Sequence, residues 1–153
     1  MKPEMSFQLC RPTKEYKDSY IRGLRELQKE GFPWYRNIDP RELEIDFSAF
    51  VRAKLAESET RTEKLVPSTD MWGIWNGEFA GRVSIRHELN EALKISGGHI
   101  GYDTVPSFRG KGIATKMLAR SLPVAKALGL KEVLLTCDDT NAASIRVIEK
   151  NGG

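Results

Sequence analysis

The feature that most constrains this chain is a change of hydrophobic period around residues 105–114, VPSFRGKGIA. Before it, HIGYDTV alternates as a strand does. After it, GIATKMLARSLPVAKALG repeats its apolar residues at about 3.6 and reads as a long helix, with Pro123 inside it removing one backbone donor. LKEVLLTCD at 130–138 is a further strand pattern, and NAASIRVIEKNGG a final helix that stops on Gly152 and Gly153. Strand, helix and strand in that order make a crossover unit, which few sheet architectures accommodate.

Upstream, MSFQLCRPT gives a short first strand from Met5 to Thr13. A helix follows with apolar positions at Tyr16, Tyr20, Ile21, Leu24 and Leu27, Thr13 as cap and Gly31 as stop. Asp39 and Pro40 open a second helix, as N-cap and first helical residue. MWGIWNGEFAGRVSIRHEL reads as two strands joined at Asn76 and Gly77, a dipeptide suited to the positive angles of a tight hairpin, with Trp72, Ile74, Val83 and Ile85 buried. The expected order is β-α-α-β-β-β-α-β-α, a mixed α/β (α+β) sheet in which an antiparallel meander gives way to a βαβ crossover. No internal repeat interrupts it, and 153 residues are expected to form a single domain.

Composition excludes more than it assigns. Residues 1–70 hold 13 basic and 13 acidic side chains, so the net charge of +3 comes from the remaining 11 and 8, in the part with the glycines. That suits an anionic ligand there but not a nucleic-acid surface, which needs clustered Lys and Arg with interleaved aromatics. Cys10 and Cys137 have no metal-ligand spacing and read as reduced thiols, and no metal is expected. MKPEMSFQLC is too polar for a signal peptide and no segment is apolar enough to span a membrane, so a cytoplasmic protein is expected.

Three phosphate-cradling designs compete for VPSFRGKGIA. A Walker loop fails because Gly112 follows Lys111 and position 105 is Val. A dinucleotide fingerprint lacks its third glycine, since Thr115 stands there. The third, R-x-x-G-x-A, is met by Arg109, Gly112 and Ala114, with Gly110, Lys111, Ile113 and Thr115 beside them. Small residues let a diphosphate approach the backbone, and the first N–H groups of the helix point at it. The same loop also reads as a plain turn into a helix, with a glycine for geometry.

Taken together, VPSFRGKGIATKML, EVLLTCDDTN and NAASIRVIEKNGG resemble the GNAT superfamily of acetyl-CoA-dependent N-acetyltransferases, and the wording of RHELN and GGHIGYDTVPS is similar to a bacterial subgroup of it. The resemblance implies that Arg109, Gly112 and Ala114 hold the coenzyme A pyrophosphate, and that Asn141 and Ser144 match the N-x-x-A/S motif opening the next helix. It implies that the fourth strand splays from a parallel fifth strand, with the pantetheine arm between them on the backbone of Thr104 and Val105. A backbone N–H there would steady the developing oxyanion. The activity implied is direct attack by a primary amine, of a small molecule or peptide, on the thioester of bound acetyl-CoA. Trp34, Tyr35, Glu42 and Glu44 fall on the side that usually receives the acceptor.

For the general base the candidates are His87 and Glu88 at the end of the third strand and His99 and Asp103 on the fourth, with His99 and Glu88 preferred; His99 and Asp103 share a strand face and Tyr102 lies on the other. Asn141 reads equally as a cofactor ligand and as an ordinary N-cap. Two departures stand out. Ile148 occupies the place where the family often has the Tyr that protonates the leaving thiolate. The family's last two strands are also missing, so a shortened chain with an exposed edge on its fifth strand is expected, which would favour a homodimer. Two other readings stay open: a non-catalytic acyl-CoA-binding module and a nucleotide-binding fold of another kind.

Overall fold

The computed structural model of the chain describes residues 6–153; Met5, which opens the expected first strand, lies outside them. Four strands, β1 (Phe7–Cys10), β2 (Ser68–Trp75), β3 (Glu78–Arg86) and β4 (Ile100–Thr104), form one sheet in chain order with every pair antiparallel. Around it are α1 (Lys17–Lys29), α2 (Pro40–Ile45), α3 (Phe47–Ala56), α4 (Glu91–Ile95), α5 (Ile113–Ala127) and α6 (Ala142–Lys150). The β2–β3 hairpin turns where expected, at Asn76 and Gly77, with φ of 49° and 83°.

Alternation along the strands, reversed within β3 by a bulge at Ala80, divides the core. Trp72, Ile74 and Phe79 face α1, α2 and α3, packing with Tyr20, Leu24, Tyr35 and Phe47. Val83, Ile85 and Ile100 face the other way, onto Ile113, Met117 and Leu118 of α5. Each such fully buried side chain contributes about 1.5–3 kcal/mol. Helix α5 crosses very close to the sheet because Gly73 and Gly81 are bare beneath it. A Cβ at Gly73 would lie 2.8 Å from the Met117 sulfur, and one at Gly81 would lie 2.9 Å from the Met117 Cε.

Three expectations need correction. The helix opened by Asp39 and Pro40 is two helices, because Asp46 leaves helical geometry (φ −146°, ψ 79°) and caps a new one by accepting the Ala49 N–H at 3.0 Å. The polar stretch after β3 contains the short α4, whose cap, Asn90, accepts the Leu93 N–H at 2.9 Å. Most consequentially, residues 130–138 do not form a fifth strand, and no parallel pair exists among the described residues. That segment meets the start of β4 where Gly97 and Gly98 turn the chain with φ of 104° and 59°. The Leu134 carbonyl accepts the His99 N–H at 2.8 Å, but the Leu134 N–H goes to the His99 ring, also at 2.8 Å. The Gly97 N–H is taken by the Thr136 hydroxyl at 2.8 Å. With its donor spent on a side chain, the segment cannot propagate a ladder. The free edge of the sheet on this side is therefore β4, not the expected fifth strand.

Candidate functional site

Gly110 and Gly112 both adopt left-handed backbone, φ 80° and 74°, and a Cβ at either would meet nothing within 4 Å. Glycine is thus required by the conformation, and the space above the loop is open. Gly112 is the N-cap of α5 and offers no side-chain cap. The first N–H bonded inside the helix is that of Lys116, to the Gly112 carbonyl at 3.1 Å, so those of Ile113, Ala114 and Thr115 have no intrahelical partner. They open into a cavity of about 320 Å³ lined from the loop side by Thr104, Arg109, Gly110, Gly112 and Thr115, and from α6 by Arg146 and Lys150. Lys111 is exposed and does not line it. Two cations on α6, an Arg109 guanidinium bonded to Glu30, and an uncapped helix N-terminus fit an extended anion such as a diphosphate.

The loop is held from below by α1. Glu26 accepts from the Ser107 N–H at 2.9 Å and its hydroxyl at 2.8 Å, and Glu30 accepts both terminal nitrogens of Arg109 at 2.8 Å. These carboxylates are four residues apart, hence on one helix face. The hydrogen bonds from Arg109 hold the Glu30 carboxyl below its ordinary pKa. Arg146, Lys150, Glu26 and Glu30 all escaped the sequence reading, although i, i+4 spacing of like charges on two helices was the visible signal.

The β3–β4 register decides which backbone donors face the open edge. The Val105 N–H goes to the Ala80 carbonyl at 2.8 Å, and antiparallel pairing alternates inward and outward groups. Val105, whose side chain is also fully buried, therefore has no donor to offer, which corrects its expected role. Thr104 keeps an outward N–H, and Tyr102 gains the same standing by the alternation.

Beyond that edge, β4 and the segment after Leu134 diverge around a cavity of about 510 Å³, lined by Gly101, Tyr102, Asp103, Thr136, Cys137, Asn141 and Ser144 among others. The Tyr102 and Ser144 hydroxyls bond across it at 2.7 Å. Burial raises the Tyr102 pKa above its ordinary value, more than the Ser144 bond lowers it, so the phenol keeps its proton at neutral pH. Asn141 caps α6 by accepting the Ser144 N–H at 3.1 Å and still lines the cavity with the rest of its amide. Ile148 is half-buried and packs on the α5 side of the core.

A second cavity, of about 370 Å³, lies across Arg82, Arg86 and Trp34, which line both. Trp34 is 64% exposed, whereas Tyr35 is buried and donates its phenolic hydrogen to Asp103. Arg82 bonds Asp103 at 3.3 Å and lies 3.8 Å from Asp70. Burial works against the Arg82 charge, but Asp103, Tyr35 and Asp70 hold its pKa above the ordinary guanidinium value. Burial pushes the Asp103 carboxyl up, against the pull of Arg82 and Tyr35. Asp70 and Arg82 were also missed, since only the register that sets Arg82 opposite Asp103 and Asp70 opposite Ser84 brings them together. Neither Glu42 nor Glu44 lines either cavity.

Of the candidate bases only Asp103 reaches these walls, and its carboxylate already accepts from Tyr35 and Arg82. His99 uses Nδ1 to accept the Leu134 N–H, His87 bonds the Thr69 hydroxyl at 2.7 Å, and Glu88 is ion-paired with Arg61. Among the described residues no three metal-ligating side chains converge, and no helix is long and apolar enough to cross a membrane.

Residues 11–153 match a family described as the acetyltransferase (GNAT) domain. N-alpha-acetyltransferase 30 of Schizosaccharomyces pombe is 31% identical over 86 residues, which are 56% of this chain and 57% of that protein; the chain thus spans little more than half of this curated relative. Among solved structures, Mycobacterium smegmatis RimJ in complex with CoA-disulfide superposes with a TM-score of 0.70 at 22% identity, covering 95% of this chain and 69% of that one. RimL, a ribosomal L7/L12 alpha-N-protein acetyltransferase in complex with coenzyme A, gives 0.68 at 17%, covering 96% and 79%. At these identities the likeness is one of fold.

Proposed function

Because this chain belongs to the GNAT acetyltransferase domain family, we propose that it transfers an acetyl group from acetyl-CoA to a primary amine of a small molecule or peptide, by direct attack in a ternary complex. The observation that carries this reading is the uncapped N-terminus of α5 opening into a cavity walled by Arg109, Arg146 and Lys150. Acetyl-CoA, when bound, would supply an activated thioester carbonyl. The backbone from Gly110 to Thr115 would hold its diphosphate together with Arg146 and Lys150, and Arg109, held by Glu30, would fix the loop beneath it. The outward N–H groups of Thr104 and Tyr102 would pair with its arm, as a further strand does, and one of them would steady charge on the carbonyl oxygen. Holding both reactants in one cleft supplies much of the rate, of the order of 7–11 kcal/mol at best.

The departing thiolate would take its proton from Tyr102, whose hydroxyl lies in the cavity beside Ser144 and stands in for the tyrosine that Ile148 replaces. A thiol pKa of about 8.5 makes this assistance modest rather than essential. His99 and Glu88, if they take up the amine proton, would do so through water. The reading expects a cytoplasmic protein; two copies could pair through the edge of β4 only in place of the acetyl-CoA arm, so light scattering should show any homodimer dissociating when acetyl-CoA is added.

The test is release of free CoA thiol from acetyl-CoA on addition of a panel of primary amines. Amine-dependent release is expected. Tight acetyl-CoA binding without it would favour a non-catalytic acyl-CoA-binding module, the reading that Ile148 suggests. Tyr102→Phe should lower turnover with little change in acetyl-CoA affinity, and unchanged turnover would remove the acid role.

A further inference from the structure

Asp70 is 1% exposed, and neither of its carboxylate oxygens has a hydrogen-bond partner among the described residues. An isolated buried carboxylate is costly, and such groups are ordinarily paired. Its nearest cation is Arg82 at 3.8 Å, beyond hydrogen-bond reach, and that guanidinium is already bonded to Asp103 at 3.3 Å. Asp103 also receives the Tyr35 hydroxyl. Two carboxylates share one guanidinium, whose Nε is itself buried without a partner, and the carboxylate left without a donor is Asp70.

That carboxylate lines the cavity of about 370 Å³, next to Ser84, its cross-strand partner. The other charged groups around the cavity are Lys54, Glu57, Lys64 and Arg86. Lys54 and Glu57 pair with each other at 3.1 Å, and Arg86 is spent on the Gly97 and Gly98 carbonyls at 2.9 and 3.1 Å. None of them satisfies Asp70. Leu65, Val66 and Leu93 complete the wall, and Trp34 stands between this cavity and the one along β4. An apolar wall above a buried carboxylate with no donor is matched by a primary ammonium carried on an apolar group. Such a ligand brings one positive charge and three N–H donors.

We propose that Asp70 is the docking residue for a primary ammonium group of the acceptor other than the amine that attacks the thioester, and that it selects compounds carrying an apolar primary amine over neutral and anionic compounds of the same shape. This rests on the acetyltransferase reading for the word acceptor, but not for the binding itself. Asp70 positions the ligand at the cleft and is assigned no proton transfer.

The experiment is a titration of the full chain, followed by backbone amide NMR shifts at Ser84 and Arg86, with n-hexylammonium, n-hexanol and hexanoate as probes. Saturable shifts with n-hexylammonium, at least tenfold tighter than with the other two, are expected. Asp70→Asn should weaken n-hexylammonium at least tenfold while coenzyme A, titrated in parallel, binds as in the unsubstituted protein. Equal or tighter binding of hexanol or hexanoate overturns the proposal, and so does an unchanged affinity in Asp70→Asn. Should that variant not fold, Asp70→Ser serves, and the charge series in the unsubstituted protein decides without any variant. Loss of coenzyme A binding with n-hexylammonium retained would break the acetyltransferase reading and leave this one standing; the reverse would break this one alone.

Discussion

The two sides of the cleft are built on opposite plans. The side around α5 gathers its groups from one continuous loop, Arg109 to Thr115, and leaves backbone donors bare on open space. The side around Arg82 gathers Tyr35, Asp70, Arg82 and Asp103 from a loop and three different strands and buries them. Bare backbone tolerates no side chain but adds little to stability. Buried charges, once assembled, hold the fold together and are dangerous to disturb one at a time. Substitutions on the first side should therefore change coenzyme A binding and spare the fold, and those that break the Tyr35–Asp103–Arg82 bonds on the second should cost stability and leave coenzyme A binding largely intact.

The largest effect is expected from Gly112→Val. A β-branched residue at φ 74° is strained even where space is free, and its side chain would stand over the first-turn donors of α5. Coenzyme A affinity, measured by calorimetry, should fall by more than about 100-fold while far-ultraviolet circular dichroism is retained, since glycine-to-side-chain strain at one loop position costs only about 1–2 kcal/mol. Retained binding would remove the diphosphate assignment.

Asp103→Ala tests the other plan. It strands the buried Tyr35 hydroxyl and leaves Arg82 only the unbonded Asp70 at 3.8 Å, so the unfolding free energy from urea denaturation should drop by about 3 kcal/mol. Coenzyme A binding by the folded fraction should change much less. A stability loss below 1 kcal/mol, on the order of a surface pair, would show that the cluster is solvated in solution. Smaller still is the effect of Arg146→Ala or Lys150→Ala. Both side chains are exposed, and each should weaken coenzyme A by about threefold to tenfold and reduce the dependence of affinity on salt.

The same contrast explains what could be read from sequence. The loop was legible because its residues are contiguous and its glycines mark backbone that only glycine adopts; the helix that follows and the N-cap at Asn141 are likewise local. The hairpin was legible from Asn76 and Gly77. The charge cluster was not, because the pairing of Asp70 with Ser84 and of Arg82 with Asp103 depends on register, which a bulge between Gly73 and Ile74 shifts further along β2. The fifth strand was over-read for a related reason. LKEVLLTCD has the composition of a strand, but His99 takes the donor that a ladder would need, and composition carries no record of such a competitor. Val105 failed in the same way, its outward donor being a matter of parity in the ladder.

His99 supplies the smallest and sharpest test, because its two assigned parts predict different things. Its ring accepts the Leu134 N–H through Nδ1, and burial lowers its pKa below the ordinary value of 6.5. As pH falls through about 6.5 the unfolded chain binds the proton first, so folding loses stability on the acid side, and none of this loss is present above that pH. His99→Asn keeps a side-chain acceptor without a titration. Its stability at pH 8 should be nearly unchanged, and its decline below pH 6.5 shallower than in the unsubstituted protein; the matching contribution of His87, also lowered by burial, stays as a common background. Turnover at pH 8 should remain within about threefold, where loss of a direct general base would cost about 100-fold or more. A large fall in turnover with an unaltered pH profile of stability would return His99 to catalysis.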